Sequence, residues 1–276
     1  MRRTALAVAW VAVSVVTFAF LLLPIVAIFV HTSPGNLLDQ LSNPVVRDAF
    51  LVSLKTSALA QLLIVLFGTP AAFLLASRTF PGRSFAVTLV ELPLVLPPAV
   101  AGIGLLAALG RFGLLGSSLQ WAGITLPFTQ SAVTIAVAYV ASPLYIRQAI
   151  AAFQATDPNL AAASRTLGAG AVRTFFRVIL PLARGGLIAG LALSFARGLG
   201  EFGATIMFAG SLQRVTQTLP LAIYAEFDRS FDATLAMSGV LVLISIVLLV
   251  ALHTSLTWQR SPSRTSTSLF GLSTSS

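Results

Sequence analysis

Six stretches of this chain are apolar for long enough to cross a bilayer, and no other feature restricts the fold as strongly. They run from about Ala5 to Val30, Ser53 to Ala76, Phe85 to Leu109, Ser131 to Phe153, Leu187 to Phe208 and Ala233 to Leu256. A spanning helix needs roughly 20 predominantly apolar residues. Only 9% of the residues are charged and 57% are hydrophobic, whereas a soluble domain carries about 25% charge. The expected fold is therefore all-α: a polytopic protein of about six transmembrane helices, with the lipid bilayer as its surroundings and the cell membrane as its location.

The net charge of +9 raises the question of a nucleic-acid partner. The arginines stand singly or in pairs between apolar runs rather than in a patch, so no nucleic acid is expected. Cysteine is absent, which removes disulfides and thiol chemistry. His31 and His253 stand alone and read as structural. No cluster of His, Cys and carboxylates has metal spacing. The one lysine, Lys55, lies in Ser-Leu-Lys-Thr-Ser without a glycine loop, so the chain lacks the usual cradle for ATP. Neither a Gly-x-Ser-x-Gly elbow nor a His-Glu-x-x-His pair is present. No catalytic residue, metal or cofactor is assigned, and the chain does not read as an enzyme.

The first apolar run exceeds the ~7–15 residues of a signal-peptide core, so it reads as a retained first helix, with cleavage as the lesser alternative. The third is crowded by Glu91, Pro93, Pro97 and Pro98. Prolines inside a membrane are tolerated where the backbone is buried in protein or lines a watery cavity. A span that starts only after Pro98, with Glu91 at the interface, is an equal reading. Gly110 to Gln130 is a glycine-rich connection whose Trp121 suits an interface belt. The tail from Gln259 is rich in Ser and Thr and reads as disordered.

Between the fourth and fifth runs lies a polar loop. Asp157-Pro158 is a helix-start signal, and Asn159 to Leu167 is expected as a short helix. Gly168-Ala169-Gly170 breaks it. Ala171 to Leu180 is expected as a second short helix before Pro181. On it Val172, Phe176 and Ile179 share one side and Arg173 and Arg177 another. Such a helix suits a membrane surface or a partner's groove equally well as an ordinary amphipathic loop.

The fifth run contains Arg197 and Glu201. A charge at mid-membrane costs at least ~2.5–3.5 kcal/mol, so such residues usually face a bundle interior or a watery path. Four apart on a helix, the two can pair; a neutral structural pair and a pathway role are both open. Gly198, Gly200 and Gly203 flank Glu201, which suits close packing or a bend.

Basic residues in short loops set orientation. The N-terminus, the Arg78–Arg83 turn, the 157–186 loop and the tail hold ten arginines. They are Arg2, Arg3, Arg78, Arg83, Arg165, Arg173, Arg177, Arg184, Arg260 and Arg264. The alternate set holds four: Arg47, Arg111, Arg214 and Arg229. Both termini and the 157–186 loop are therefore expected in the cytoplasm.

Ala162-Ala163-Ser164, Gly168 six residues after Ala162, and Val178-Ile179-Leu180-Pro181 resemble the EAA loop of ABC-importer permeases. That loop reads Glu-Ala-Ala, three residues, Gly, nine residues, Ile-x-Leu-Pro. Gly168, Leu180 and Pro181 match it; Ala162 replaces the glutamate and Ser164 the second alanine. Leu92 to Gly102, Gly200 to Gly210 and Gln217 to Tyr224 are similar to the molybdate/tungstate permease subfamily, relatives of the sulfate permeases. The likeness extends over roughly Ser53 to Leu252.

The resemblance implies the membrane-spanning subunit of an ATP-driven importer for molybdate, with tungstate as second candidate. It implies a homodimer with the path at its interface, two cytoplasmic ATPase subunits that use the ATP and Mg, and an extracytoplasmic oxyanion-binding protein. It divides the chain into a first helix with its external loop (1–50), a permease core (51–256) and a cytoplasmic tail (257–276). The coupling loop would use Ala162, Ala163, Ser164, Arg165, Gly168, Arg173, Leu180 and Pro181. The path or gate would draw on Glu91, Pro97, Arg197, Glu201, Gly203 and Thr205. An oxyanion path needs donors rather than strong traps, and Thr205, Arg197 and amides freed near the prolines are candidates. Two alternatives stand beside this: a sulfate permease, and an ion-gradient transporter using Arg197, Glu201 and Glu91 as relay groups.

Overall fold

A computed structural model describes residues 2–258, so the expected disordered tail from Gln259 lies outside the described residues. The chain runs as α1 (Arg2–His31), α2 (Pro34–Ser42), α3 (Pro44–Ser77), α4 (Arg83–Val95), α5 (Pro98–Leu109), α6 (Gly116–Trp121) and α7 (Gln130–Gln154). Then follow α8 (Pro158–Thr166), α9 (Ala171–Thr174), a π-helical turn (Phe175–Ile179), α10 (Leu180–Leu199), α11 (Gly203–Ala209), α12 (Leu219–Phe227) and α13 (Phe231–Trp258). No strand occurs among the described residues.

Among those residues, four helical segments are long and apolar enough to cross a membrane. They are 9–31 of α1, α3, α7, and the continuous stretch from Ala171 to Leu199. A fifth arises if α4 and α5 count as one span, although they meet at 114°. Phe231–Val247 of α13 adds a shorter apolar segment. Against the expected six spans, the described residues hold four, or five with the bent pair, beside one shorter apolar helix.

Two local expectations are corrected, and one reading left open is decided. The third run is helical on both sides of its prolines: it stops at Val95 and restarts at Pro98, because two adjacent prolines remove two consecutive amide donors. The second loop helix is not a separate element. It continues through the π-helical turn into α10, where Pro181 occupies the first turn that tolerates it. The fifth run therefore spans from Ala171 and ends at Leu199, short of Phe208; Gly200 stops it and α11 begins afresh at Gly203.

The core is built around α7, which packs on α3, α10, α11, α4 and α5. Its buried positions include Ala132, Ala136, Ala141 and Ala149. Small residues let backbones approach, which is how helices associate where lipid and side chains are equally apolar. The opposing face of α10 is built likewise. A Cβ added at Gly186 would lie 2.4 Å from the Ala152 side chain, and one at Gly198 would lie 2.8 Å from Val137.

Helix α3 turns a polar stripe inward: Ser53, Thr56, Ser57 and Gln61 are all buried. Ser53 Oγ accepts the Leu219 amide at 2.8 Å, holding the start of α12. Ser194 Oγ on α10 donates to Gln61 Oε1 at 2.7 Å. By contrast no residue of the apolar stretch 9–31 of α1 is buried, and its main neighbour is α13.

The α5–α11 contact is the tightest test of this packing. A Cβ at Gly102 would sit 2.6 Å from the Ala204 carbonyl oxygen and 2.8 Å from its Cα. Backbone cannot give way there, so Gly102→Ala is expected to destabilise the protein by about 1–3 kcal/mol. Gly104→Ala, two residues along the same helix with open space around it, is expected to be neutral. Thermal unfolding of the two variants in detergent checks the contrast.

Candidate functional site: a polar loop and a doubled helix break

The polar loop forms as its sequence suggests. Asp157 caps α8, its Oδ1 accepting the Asn159 amide at 2.9 Å. The helix ends in a turn where Leu167 N–H donates to Ala163 O and Gly168 N–H to Arg165 O. Gly168 has φ +84° with open space around its Cβ position. Glycine is required there by backbone conformation rather than by crowding. Ser164 Oγ then meets Thr174 Oγ1 at 3.2 Å, tying α8 to α9 across the turn.

This fold leaves an open cleft of about 610 Å³ between α8 and the start of α10. Ala163, Ser164, Arg173 and Pro181 line it, together with Leu167 and Arg177. Leu167 is 88% exposed. The cleft therefore pairs apolar walls with two guanidinium groups and no carboxylate. Ala162 and Arg165 are exposed on α8 but do not line it. Leu180 packs into the core beside Ile179 and Phe175.

Beneath the cleft, Phe175 in the π-helical turn packs on Phe73 of α3 and Phe153 of α7, with ring centroids 4.8 and 6.2 Å away. Phe73 and Phe153 meet edge to face at 5.4 Å. Single π turns inside α-helices recur at functional sites. Here the turn seats an aromatic wedge between two core helices.

The second region lies where both broken helices restart. A Cβ on Gly203 would sit 2.8 Å from Pro98 Cβ and 3.1 Å from the Ala99 nitrogen. The first turns of α5 and α11 are therefore in direct contact. Glu201 occupies the gap between α10 and α11 and is 2% exposed. Its Oε1 accepts the Ala204 amide at 2.8 Å, satisfying a donor that a helix start leaves orphaned. Its Oε2 lies 2.8 Å from Arg197 Nη1 as a close ion pair. The pair expected along one helix thus forms across a helix end.

Thr205 on α11 is fully buried, and its Oγ1 has no protein partner among the described residues. Gln61 Nε2, also inside the bundle, likewise lacks one. Pro97 is exposed at the bend and its carbonyl accepts the Ala101 amide at 3.1 Å. Glu91 does not join Arg197 and Glu201; it pairs with Arg147 of α7 at 3.1 Å. The relay of Arg197, Glu201 and Glu91 is therefore not assembled as one group.

Sequence reasoning missed Arg147 as a partner and the inward stripe of α3. The stripe had a visible signal: hydroxyl and amide residues at positions 53, 56, 57 and 61 recur at helical spacing in an apolar run.

The family described as "Binding-protein-dependent transport system inner membrane component" matches residues 65–259. A molybdenum transport system permease protein of Mycobacterium tuberculosis is 41% identical over 232 residues, covering 84% of this chain and 88% of the relative. Its counterpart in Escherichia coli K12 is 46% identical over 178 residues, 64% of this chain and 78% of the relative. The fold is shared with a crystal structure of a bacterial alginate ABC transporter in complex with an alginate pentasaccharide-bound periplasmic protein. That likeness has TM-score 0.71 at 17% identity and covers 94% of this chain and 95% of that one. The all-helical, multi-pass architecture and the matched family agree: this chain belongs to the inner-membrane permease components of binding-protein-dependent ABC transport systems.

Proposed function

We propose that the chain is the permease subunit of an ATP-driven importer whose cargo is molybdate, acting as a homodimer with two ATPase subunits. The observation that carries the coupling half of this reading is the open arginine-rimmed cleft between α8 and α10. It is an apolar recess with basic walls, suited to receive part of another protein. The names of the relatives supply the cargo, and the periplasmic protein bound to the alginate transporter suggests the outer partner. Charge bias favours a cytoplasmic position for the cleft and both termini.

The cleft wall is the start of one continuous helical lever, α9 through α10, whose far end is the Gly200 break. Force on the cleft from an ATPase closing would move this lever as a unit, with the Phe73–Phe153–Phe175 cluster as its fulcrum. Displacement at Gly200 would shift α11 against α5 and so alter the path. The residues 51–256 form the transporting unit in this scheme, with 157–186 as its coupling loop. Arg197 and Glu201 hold the lever's end to α11, and Gly203, Pro97 and Thr205 belong to the gate.

Uptake into membrane vesicles with and without ATP tests the whole reading. ATP-dependent molybdate accumulation, competed by tungstate and not by sulfate, is expected when ATPase and binding protein are present. Sulfate competition equal to that of tungstate would reassign the cargo, and uptake without any ATPase would end the proposal. Gly168→Asp, in a turn that only glycine adopts freely, is expected to leave membrane insertion and ATP hydrolysis in place. It should lower uptake about tenfold or more by misplacing α8.

The ion pair makes its own prediction. Glu201→Gln strands the Arg197 guanidinium, which is one third exposed. The loss in stability should fall at or below the lower end of the ~3–5 kcal/mol seen for fully buried pairs. Arg197→Met combined with Glu201→Gln should recover most of it. A double-mutant cycle on unfolding in detergent, run beside uptake, reads the coupling.

A further inference from the structure

The connection after α5 is built unlike the other segments on its side of the molecule. Gly110, Gly113 and Gly116 recur every third residue. A Cβ on any of them would strike a backbone carbonyl oxygen at 2.3–2.5 Å. The chain therefore folds back tightly on the last turn of α5. Leu114 N–H donates to Ala107 O at 3.0 Å and Leu115 N–H to Ala108 O at 2.8 Å. Gly113, Gly116, Leu119, Ala122, Gly123 and Ile124 also place their amides on backbone carbonyls of the same segment. Gln120 Nε2 donates to Arg111 O at 2.8 Å.

On this compact frame stand apolar side chains in nearly full exposure: Phe112 at 97%, Leu114 at 88% and Trp121 at 93%. A loop in water would not need to satisfy its own backbone so completely, and would lose free energy by holding such groups outward. The charge pattern separates it from its neighbours. From Pro98 to Gln130 at the start of α7, the only charged residue is Arg111, whose guanidinium lies 5.8 Å from the Phe112 ring centroid. The two other segments on the same side carry Asp39, Asp48, Glu226 and Asp228, and one bridge between them, Arg214 to Asp48, is 2.9 Å long.

We propose that residues 110–124 form a rigid anchor in the lipid interface, on the membrane face opposite the 157–170 loop. Phe112, Leu114 and Trp121 enter the boundary between headgroups and acyl chains, and Arg111 meets lipid phosphate. The occupant of this surface is lipid rather than a protein. An aromatic, self-satisfied, acid-free knob with one cation matches an anionic interface, whereas the neighbouring charged segments offer what a soluble partner would read. The anchor fixes the outer end of α5, the helix whose inner end meets α11 at the break.

The chain contains no cysteine, so Phe112→Cys, Leu114→Cys, Trp121→Cys and, as a water-facing reference, Asp228→Cys can each carry one environment-sensitive fluorophore. The full-length protein is reconstituted in vesicles containing phosphatidylglycerol. Lipids bearing a nitroxide near the headgroup are expected to quench the first three probes strongly, and deep-chain nitroxides less so. Aqueous iodide should quench the Asp228 probe and spare the others. Quenching of the three by iodide and not by lipid would place the knob in water and overturn the proposal. Protection from both quenchers, as a covering protein would give, would overturn it equally.

Discussion

A helix that ends within an apolar run leaves amide and carbonyl groups that its own turns cannot satisfy, and this chain breaks two such runs. Each unsatisfied group would cost several kcal/mol in hydrocarbon. The arrangement is stable because the two breaks share one place. Helices α5 and α11 restart side by side at Pro98 and Gly203, close enough that no Cβ fits at Gly203. Glu201 accepts the Ala204 amide, and Arg197 balances its charge. Proline at the first turn of α5 removes a donor that would otherwise have gone unpaired.

From this junction the rest of the molecule acquires its mechanical character. Helix α10 is long and packs by its glycines against α7. Its near end is seated by the aromatic cluster under the α8–α9 turn. Its far end is the junction itself. One continuous helical stretch thus joins the α8–α9 turn to the junction.

Much of this is legible in the residues. The Asp157 cap, the left-handed turn at Gly168 and the Arg197–Glu201 contact all depend on neighbours within a few positions, and all take the expected form or close to it. The proline pair at 97–98 announces an irregular span, although it leaves open whether the helix bends or starts late. The separation of Ala171–Leu180 from the fifth span fails because Pro181 does not act as a stop. After a widened π turn, proline instead sits where a helix start tolerates it.

Residue order is enough to set how many apolar segments there are, where most helices begin and break, and which loops are basic. Packing in three dimensions settles which break meets which, that Glu91 takes Arg147 as its partner, and that the polar stripe of α3 faces α10 and α12. The reason is physical. In a soluble protein the apolar face of a helix points to the core, so periodicity reveals packing. In a membrane, lipid is as apolar as a neighbouring helix, so the faces of a spanning segment look alike until close contact between small residues selects one.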